Sequence, residues 1–156
     1  MTSADDVPWL DEEERRAWLA LTALMVRLEP ALDAQLRRDA GLRHFDYAVM
    51  AWLSEREGRT MRMSEIAALT EGSLSRTSQV VARLEARGYV VRAADPDDGR
   101  SVLATLTEAG YAAVVDAAPG HVREVRRVVL DPLTRAQVRQ LAAIGERILT
   151  RLDDVR

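Results

Sequence analysis

Apolar side chains recur every three or four residues along most of the chain, the spacing that places them on one helix face. Trp18, Leu21, Met25, Leu28 and Leu32 form the first such stripe, entered through acidic Asp11 to Glu14 and closed by Gly41. Pro30 lies inside it and predicts a kink or break near Glu29, because proline has no backbone N–H to donate. Val49, Trp52 and Leu53, with Phe45 a turn earlier, predict a second helix over Phe45 to Glu57, ended by Gly58. Glu108 to Leu130 also reads as helix, interrupted by the breaker run Ala118-Pro119-Gly120. Thr134 caps a last helix over 135–153, with Val138, Leu141, Ile144, Ile148 and Leu152 as its stripe.

The middle of the chain changes rhythm. Ser64 starts a short helix with Ile66 and Leu69 on one face. Thr70, Glu71 and Gly72 end it, and Ser73 caps a second helix from Leu74 to about Ala86. Leu74, Thr77, Val80, Val81 and Leu84 fall on the inner side of that helix. Ser75, Arg76, Gln79, Ala82 and Arg83 fall on the other, with no carboxylate before Glu85. The run Tyr89-Val90-Val91-Arg92 then reads as a strand, and Asp95-Pro96-Asp97-Asp98-Gly99 as a turn. Val102, Ala104 and Leu106 alternate with polar or outward positions, the period of a second strand, and Thr107 caps the next helix.

A short helix, a glycine turn, a second helix and a hairpin in this order read as a helix-turn-helix with a two-stranded wing. The outer face of the second helix suits DNA, since arginine pairs with guanine, glutamine with adenine and serine with either kind of base. A solvated amphipathic helix is the bland alternative, and the neighbouring order of elements argues against it. Arg100 sits just past the turn, where a wing tip reaches a minor groove, and Asp98 is placed to accept its hydrogen bonds.

These residues resemble the MarR family of winged-helix transcription regulators. The wing matches the pattern D-x-R followed by L-T, here Asp98-Gly99-Arg100 and Leu106-Thr107. Three further stretches resemble one subgroup: GLRHFDYAVMAWLSE at 41–55, MSEIAALTEGSLSRTSQVVARLEARG at 63–88 and AAPGHVREVRRVVLDPLTRAQVRQL at 117–141. Arg43 is a departure, standing where similar sequences often carry Ser or Thr as a helix cap.

The resemblance implies a mainly α fold with a small β-wing. Residues 1–40 and 111–156 are expected to form a dimerisation unit around a DNA-binding region at 41–110, with one long helix kinked at Pro119-Gly120. It implies a homodimeric repressor on an inverted repeat of double-stranded DNA. Ser75, Arg76, Ser78 and Gln79 are the candidates for base edges, Ser73, Thr77 and Arg83 for phosphates, and Arg100 with Asp98 for the wing. Thr77 also belongs to the inner stripe, so burial is its alternative role. Small, often aromatic, acids are the effectors such a resemblance implies, with Trp18, His44, Trp52 and Met63 on segments that could border their cavity. Each of these four residue types is more often simply part of a core.

Composition narrows the picture. With no cysteine, neither a redox thiol nor cysteine-bound zinc is available, and nothing calls for a cofactor. All 22 basic residues are arginine, so every cationic contact is a guanidinium. The net charge of −3 is uneven: residues 1–58 carry seven Arg against twelve acids, residues 59–101 seven against six. That distribution suits specific binding with modest electrostatic attraction. No apolar run approaches the roughly 20 residues of a membrane span, and the acidic start is no secretory signal, so a cytoplasmic protein is expected. No nucleophile–base set or phosphate loop suggests an enzyme. A dimeric helical ligand-binding or scaffold protein that binds no DNA is the competing function, but it leaves Arg100 at a wing tip unexplained.

Overall fold

In the computed structural model, which describes residues 7–69 and 74–155, the first apolar stripe lies on one unbroken helix, α1 (Glu12–Ala40). A capping box starts it: the Asp11 carboxylate accepts the Glu14 N–H at 2.8 Å, and the Glu14 carboxylate accepts the Asp11 N–H at 3.0 Å. Gly41 ends it at φ 63°, a left-handed conformation that costs glycine little. Of the kink or break expected near Glu29, the break does not occur. Beyond the proline, buried Leu32, Gln35 and Leu36 hold the helix against its neighbours, and tertiary packing outweighs the missing backbone bond.

Helix α2 (His44–Ser54) is shorter than the expected Phe45–Glu57. Arg43 gives no side-chain cap, and Asp33 of α1 takes over: its Oδ1 accepts the His44 N–H at 2.9 Å. A 3₁₀ turn at Glu57–Arg59 leads out of α2, with Gly58 at φ 62° and Arg59 at φ 51°. The next three residues form a strand that periodicity does not reveal, β1 (Thr60–Arg62). It joins β2 (Val90–Ala94) and β3 (Val102–Leu106) in an antiparallel sheet of order β1-β3-β2. The expected two-stranded wing, β2 with β3, is thus extended by β1 into a three-stranded sheet. Thr60 pairs with Thr105, and their hydroxyls meet at 2.8 Å.

Between β1 and β2 lie α3 (Met63–Leu69) and α4 (Leu74–Ala86), close to the expected helices. Gly72 and Ser73, the anticipated turn and cap, lie outside the described residues, as do Thr70 and Glu71. After β3, Thr107 caps α5 (Glu108–Val125) by accepting the Gly110 N–H at 3.0 Å. α5 passes Pro119-Gly120 without interruption and widens only later, into a π-helical stretch at Arg126–Leu130. A Cβ at Gly120 would lie 3.3 Å from Gln35 Nε2, so this glycine marks where α5 runs close beside α1. Thr134 and Gln137 form the capping box of the last helix, α6 (Arg135–Asp154).

The core gathers Leu36, Leu42, Met50, Leu53, Ile66, Val81, Leu84, Val90, Leu106 and Val114 between α1 to α5 and the sheet. The two ends of the chain stay outside it. α6 buries none of its 20 residues, and α1 buries none before Leu32. Trp18, Leu24, Met25 and Val26 are exposed on α1, and Leu141, Ile144, Ile148 and Leu152 on α6. Among the described residues, no helix is long and apolar enough to cross a membrane.

Candidate nucleic-acid interface

α4 keeps Val80, Val81 and Leu84 in the core, and its opposite face presents Ser75, Arg76, Gln79 and Ala82 to solvent, with Ser78 half-buried. The Arg76 guanidinium lies 5.2 Å from the centre of the Phe45 ring of α2. Thr77 is fully buried. Of its two expected roles, phosphate contact or burial in the inner stripe, the structure gives it the second. Leu74 departs in the other direction. It is exposed because the first turn of α4 extends beyond the core, where it lines a groove with Met63 and Val102. Ser73 lies outside the described residues.

Arg83 points back into the fold. Its Nη2 donates to Asp46 Oδ1 at 2.7 Å, and the Asp46 side chain in the first turn of α2 is 6% exposed. Arg83 Nε is buried with no hydrogen-bond partner. Through Nη2 it ties α4 to α2, while the Arg83 side chain stays partly exposed. At the other end of α4, Glu85 receives Arg92 Nη2 at 2.6 Å and Nε at 3.0 Å, fastening the helix to β2. These bonds, Arg92's side chain foremost, hold the Glu85 carboxyl below the usual range despite partial desolvation.

The wing turn is shaped by two aspartates. Asp95, almost wholly buried, accepts the Asp97 N–H at 3.0 Å through Oδ1. Its Oδ2 receives Arg62 Nε at 2.9 Å and Nη2 at 2.8 Å. Asp98 accepts the Ser101 hydroxyl at 2.8 Å and the backbone N–H of Arg100 at 3.2 Å. The Ser101 bond, then the Arg100 amide, lower the Asp98 pKa. Asp98 therefore sets the backbone of the turn and does not grip the Arg100 guanidinium as expected. That side chain is exposed, without a partner among the described residues.

A groove of about 320 Å³ separates α4 from the wing, lined by Arg62, Ser64, Ser78, Arg92 and Arg100 among others. Its three arginines and six hydroxyl-bearing or apolar side chains would not have been grouped here from sequence alone, since Arg62 reaches the groove only through β1. A second cluster lies where α1, α2 and α5 meet. The His121 ring is 4.8 Å from Tyr47 and 5.6 Å from His44, and its Nδ1 is 3.4 Å from Gln35 Oε1. Burial, then the neighbouring His44, holds His121 below the ordinary histidine range, and burial raises Tyr47.

The four candidate effector residues are not gathered in one cavity. Met63 lines the groove beside the wing, whereas His44 borders an apolar groove along α1 with Leu21, Leu24, Met25, Leu28 and Leu32. Trp52 packs half-buried on the core, and Trp18 is half exposed on α1.

Residues 41–101 match the sequence model of the MarR family. The fold superposes with a TM-score of 0.88 on Sco3205, a MarR family transcriptional regulator of Streptomyces coelicolor solved in complex with DNA. The two are 40% identical over 92% of this chain and 94% of that one. CouR from Rhodococcus jostii RHA1, solved with p-coumaroyl-CoA bound, is 27% identical over 85% of this chain and 90% of its own, with a TM-score of 0.74. The uncharacterised HTH-type transcriptional regulator YdcH of Bacillus subtilis (strain 168) is 36% identical over 62 residues, and the match spans 42% of its length.

Proposed function

The chain belongs to the MarR family of transcriptional regulators, and from that premise we propose that it is a homodimeric repressor that binds an inverted repeat in double-stranded DNA. One observation carries the reading: Ser78 of α4 and Arg100 of the wing, which has no partner among the described residues, line a single groove. α4 enters the major groove with Ser75, Arg76, Ser78 and Gln79 toward the base edges, and Arg100 follows the adjacent minor groove. The DNA complex of Sco3205 supports this placement.

The dimer is supported by the apolar faces that one subunit leaves open. Residues 1–40 and 111–156 form the dimerisation unit, in which Leu24 and Met25 of α1 and Ile144 and Ile148 of α6 are covered by a second copy. A twofold axis there sets two copies of α4 about 34 Å apart, one turn of the duplex. Residues 41–110 form the reading unit, and a dimer seated on a promoter represses by occupying it. An acidic aromatic effector, a class consistent with the ligand of CouR, binds beside His44 along α1 and lowers DNA affinity by altering the spacing of the two reading helices.

Selection of duplexes from a random-sequence pool, followed by sedimentation of the complex, tests the reading. A palindromic consensus bound by two subunits is expected. A protein that retains no duplex at low salt overturns it.

A further inference from the structure

Arg62 is the last residue of β1, an edge strand separated from β2 by β3. In the sheet register Arg62 and Ala93 both flank Leu103, and Asp95 lies two residues beyond Ala93. The Arg62 and Asp95 side chains together bridge two strand spacings, about 9.5 Å. Arg62 arrives with Nε at 2.9 Å and Nη2 at 2.8 Å from Oδ2. The backbone of Arg62 is anchored as well: its N–H donates to Glu65 Oε2 at 2.7 Å, within the first turn of α3. One residue is thus fixed to the helix-turn-helix by its backbone and to the wing turn by its side chain.

The other partner is equally committed. Asp95 is almost wholly buried, and its remaining oxygen accepts the Asp97 N–H. Its backbone N–H donates to the Ser101 carbonyl at 2.9 Å, and its carbonyl accepts the Asp98 N–H at 3.2 Å. Every turn of chain between β2 and β3 is therefore tied to Asp95 or to Asp98, and Arg100 is carried on that turn. Removing Arg62 leaves the buried Asp95 charge without its counterpart, which the turn must move to hydrate, and replacing Asp95 takes away the acceptor that holds Arg62.

We infer that Arg62 is a positioning residue for DNA binding: through Asp95 it fixes the wing, and with it Arg100, at a set distance from α3 and α4. The inference rests on the DNA-binding function proposed above. It differs from a phosphate contact by Arg62 itself, because the guanidinium spends two N–H groups on Asp95.

The sign of one substitution separates the two roles. Asp95→Asn removes a negative charge beside the DNA, so simple electrostatics and a freed Arg62 both favour tighter binding. A positioning pair requires weaker binding instead. The probe is a duplex selected by the wild-type protein from a random pool, with affinity read by fluorescence anisotropy. Arg62→Met and Asp95→Asn are each expected to weaken binding about tenfold, the scale of one lost contact set. Arg100→Ala should cost little more in the Arg62→Met background, because the wing is already displaced. Arg62→Lys, which keeps the charge and loses the two-pronged bond, should recover only part of the loss. Hydrogen exchange at the Asp98 and Ser101 amides should quicken in both single variants while amides of α5 stay protected, which also identifies a variant that has failed to fold. Binding by Asp95→Asn as tight as wild type, or full multiplicativity of Arg62→Met with Arg100→Ala, overturns the inference. Wild-type protein that selects no duplex removes the DNA-binding function, and unchanged exchange at Asp98 and Ser101 then removes the positioning pair separately.

Discussion

Arg83 Nη2 and Asp46 Oδ1 lie 2.7 Å apart, across the junction of α4 and α2. The carboxylate is buried and the guanidinium is partly open to solvent, so the pair is asymmetric: Asp46 depends on Arg83 more than the reverse. Arg83→Ala and Asp46→Ala should each destabilise the fold by about 1–3 kcal/mol, with the double variant losing less than the sum. Urea unfolding of the four proteins measures the coupling, and strict additivity would mean the pair contributes nothing.

Gly110 should tolerate no side chain. A Cβ there would sit 2.2 Å from the Tyr89 carbonyl oxygen and 2.6 Å from Leu106 Cδ1. The first of these is backbone and cannot step aside. Gly110→Ala should cost about 1–3 kcal/mol or more by forcing α5 away from the hairpin, visible as a lowered thermal midpoint.

Stability should fall on mild acidification through His121. Its folded pKa is lowered by burial and by His44, so the unfolded chain binds the proton more readily. The neutral-imidazole contribution is full above the ordinary histidine value of about 6.5 and is lost as pH falls below it. Carboxylates held low, such as Asp33 and Glu85, lose their contributions only in more acidic solution. Desolvation works against the Asp33 charge, and the His44 amide and Arg37 outweigh it. Urea midpoints at pH 7.5 and 5.5 should differ in the wild type and converge in His121→Gln. An unchanged slope would assign the pH dependence elsewhere.

The reading helix and the wing should fail differently. Arg76→Ala is expected to relax sequence preference at one position of each half-site, and Arg100→Ala to weaken binding of all duplexes by about tenfold and reduce its salt dependence. Affinities for the selected duplex and its point variants, each at several salt concentrations, distinguish the two patterns.

Charge on the open face of α6 should separate the subunits. Ile144 and Ile148 are four apart and exposed in the single chain. Ile144→Glu with Ile148→Glu should yield a monomer by sedimentation at micromolar concentration. It should also cost about 100-fold or more in affinity for a palindrome, because one half-site is then read alone.

Much of the architecture was legible from local signals. Leu74–Ala86 was bounded by a serine cap signal and Arg87-Gly88, β3 by the alternation that buries Ala104 and Leu106 though not Val102, and α5 and α6 by Thr107 and Thr134. These signals act within a few residues, so sequence order carries them. Neither proline breaks its helix, for the complementary reason: a local penalty at Pro30 or Pro119 is small beside the packing of α1 against α5.

The sequence by itself determined the order of helices and strands, the polar face of α4, the turn that carries Arg100 and the absence of thiol chemistry, because each depends on spacing or on composition. Only the tertiary structure decided that Thr77 is interior, that Asp33 caps α2, that Arg83 belongs to Asp46 and that Arg62 belongs to Asp95. The strand β1 falls in the same class, since three residues show no period and become a strand only by pairing with β3. The partners in these bonds stand 11 to 37 residues apart in the chain, and a charge or a strand edge gives no local sign of which distant group it will meet.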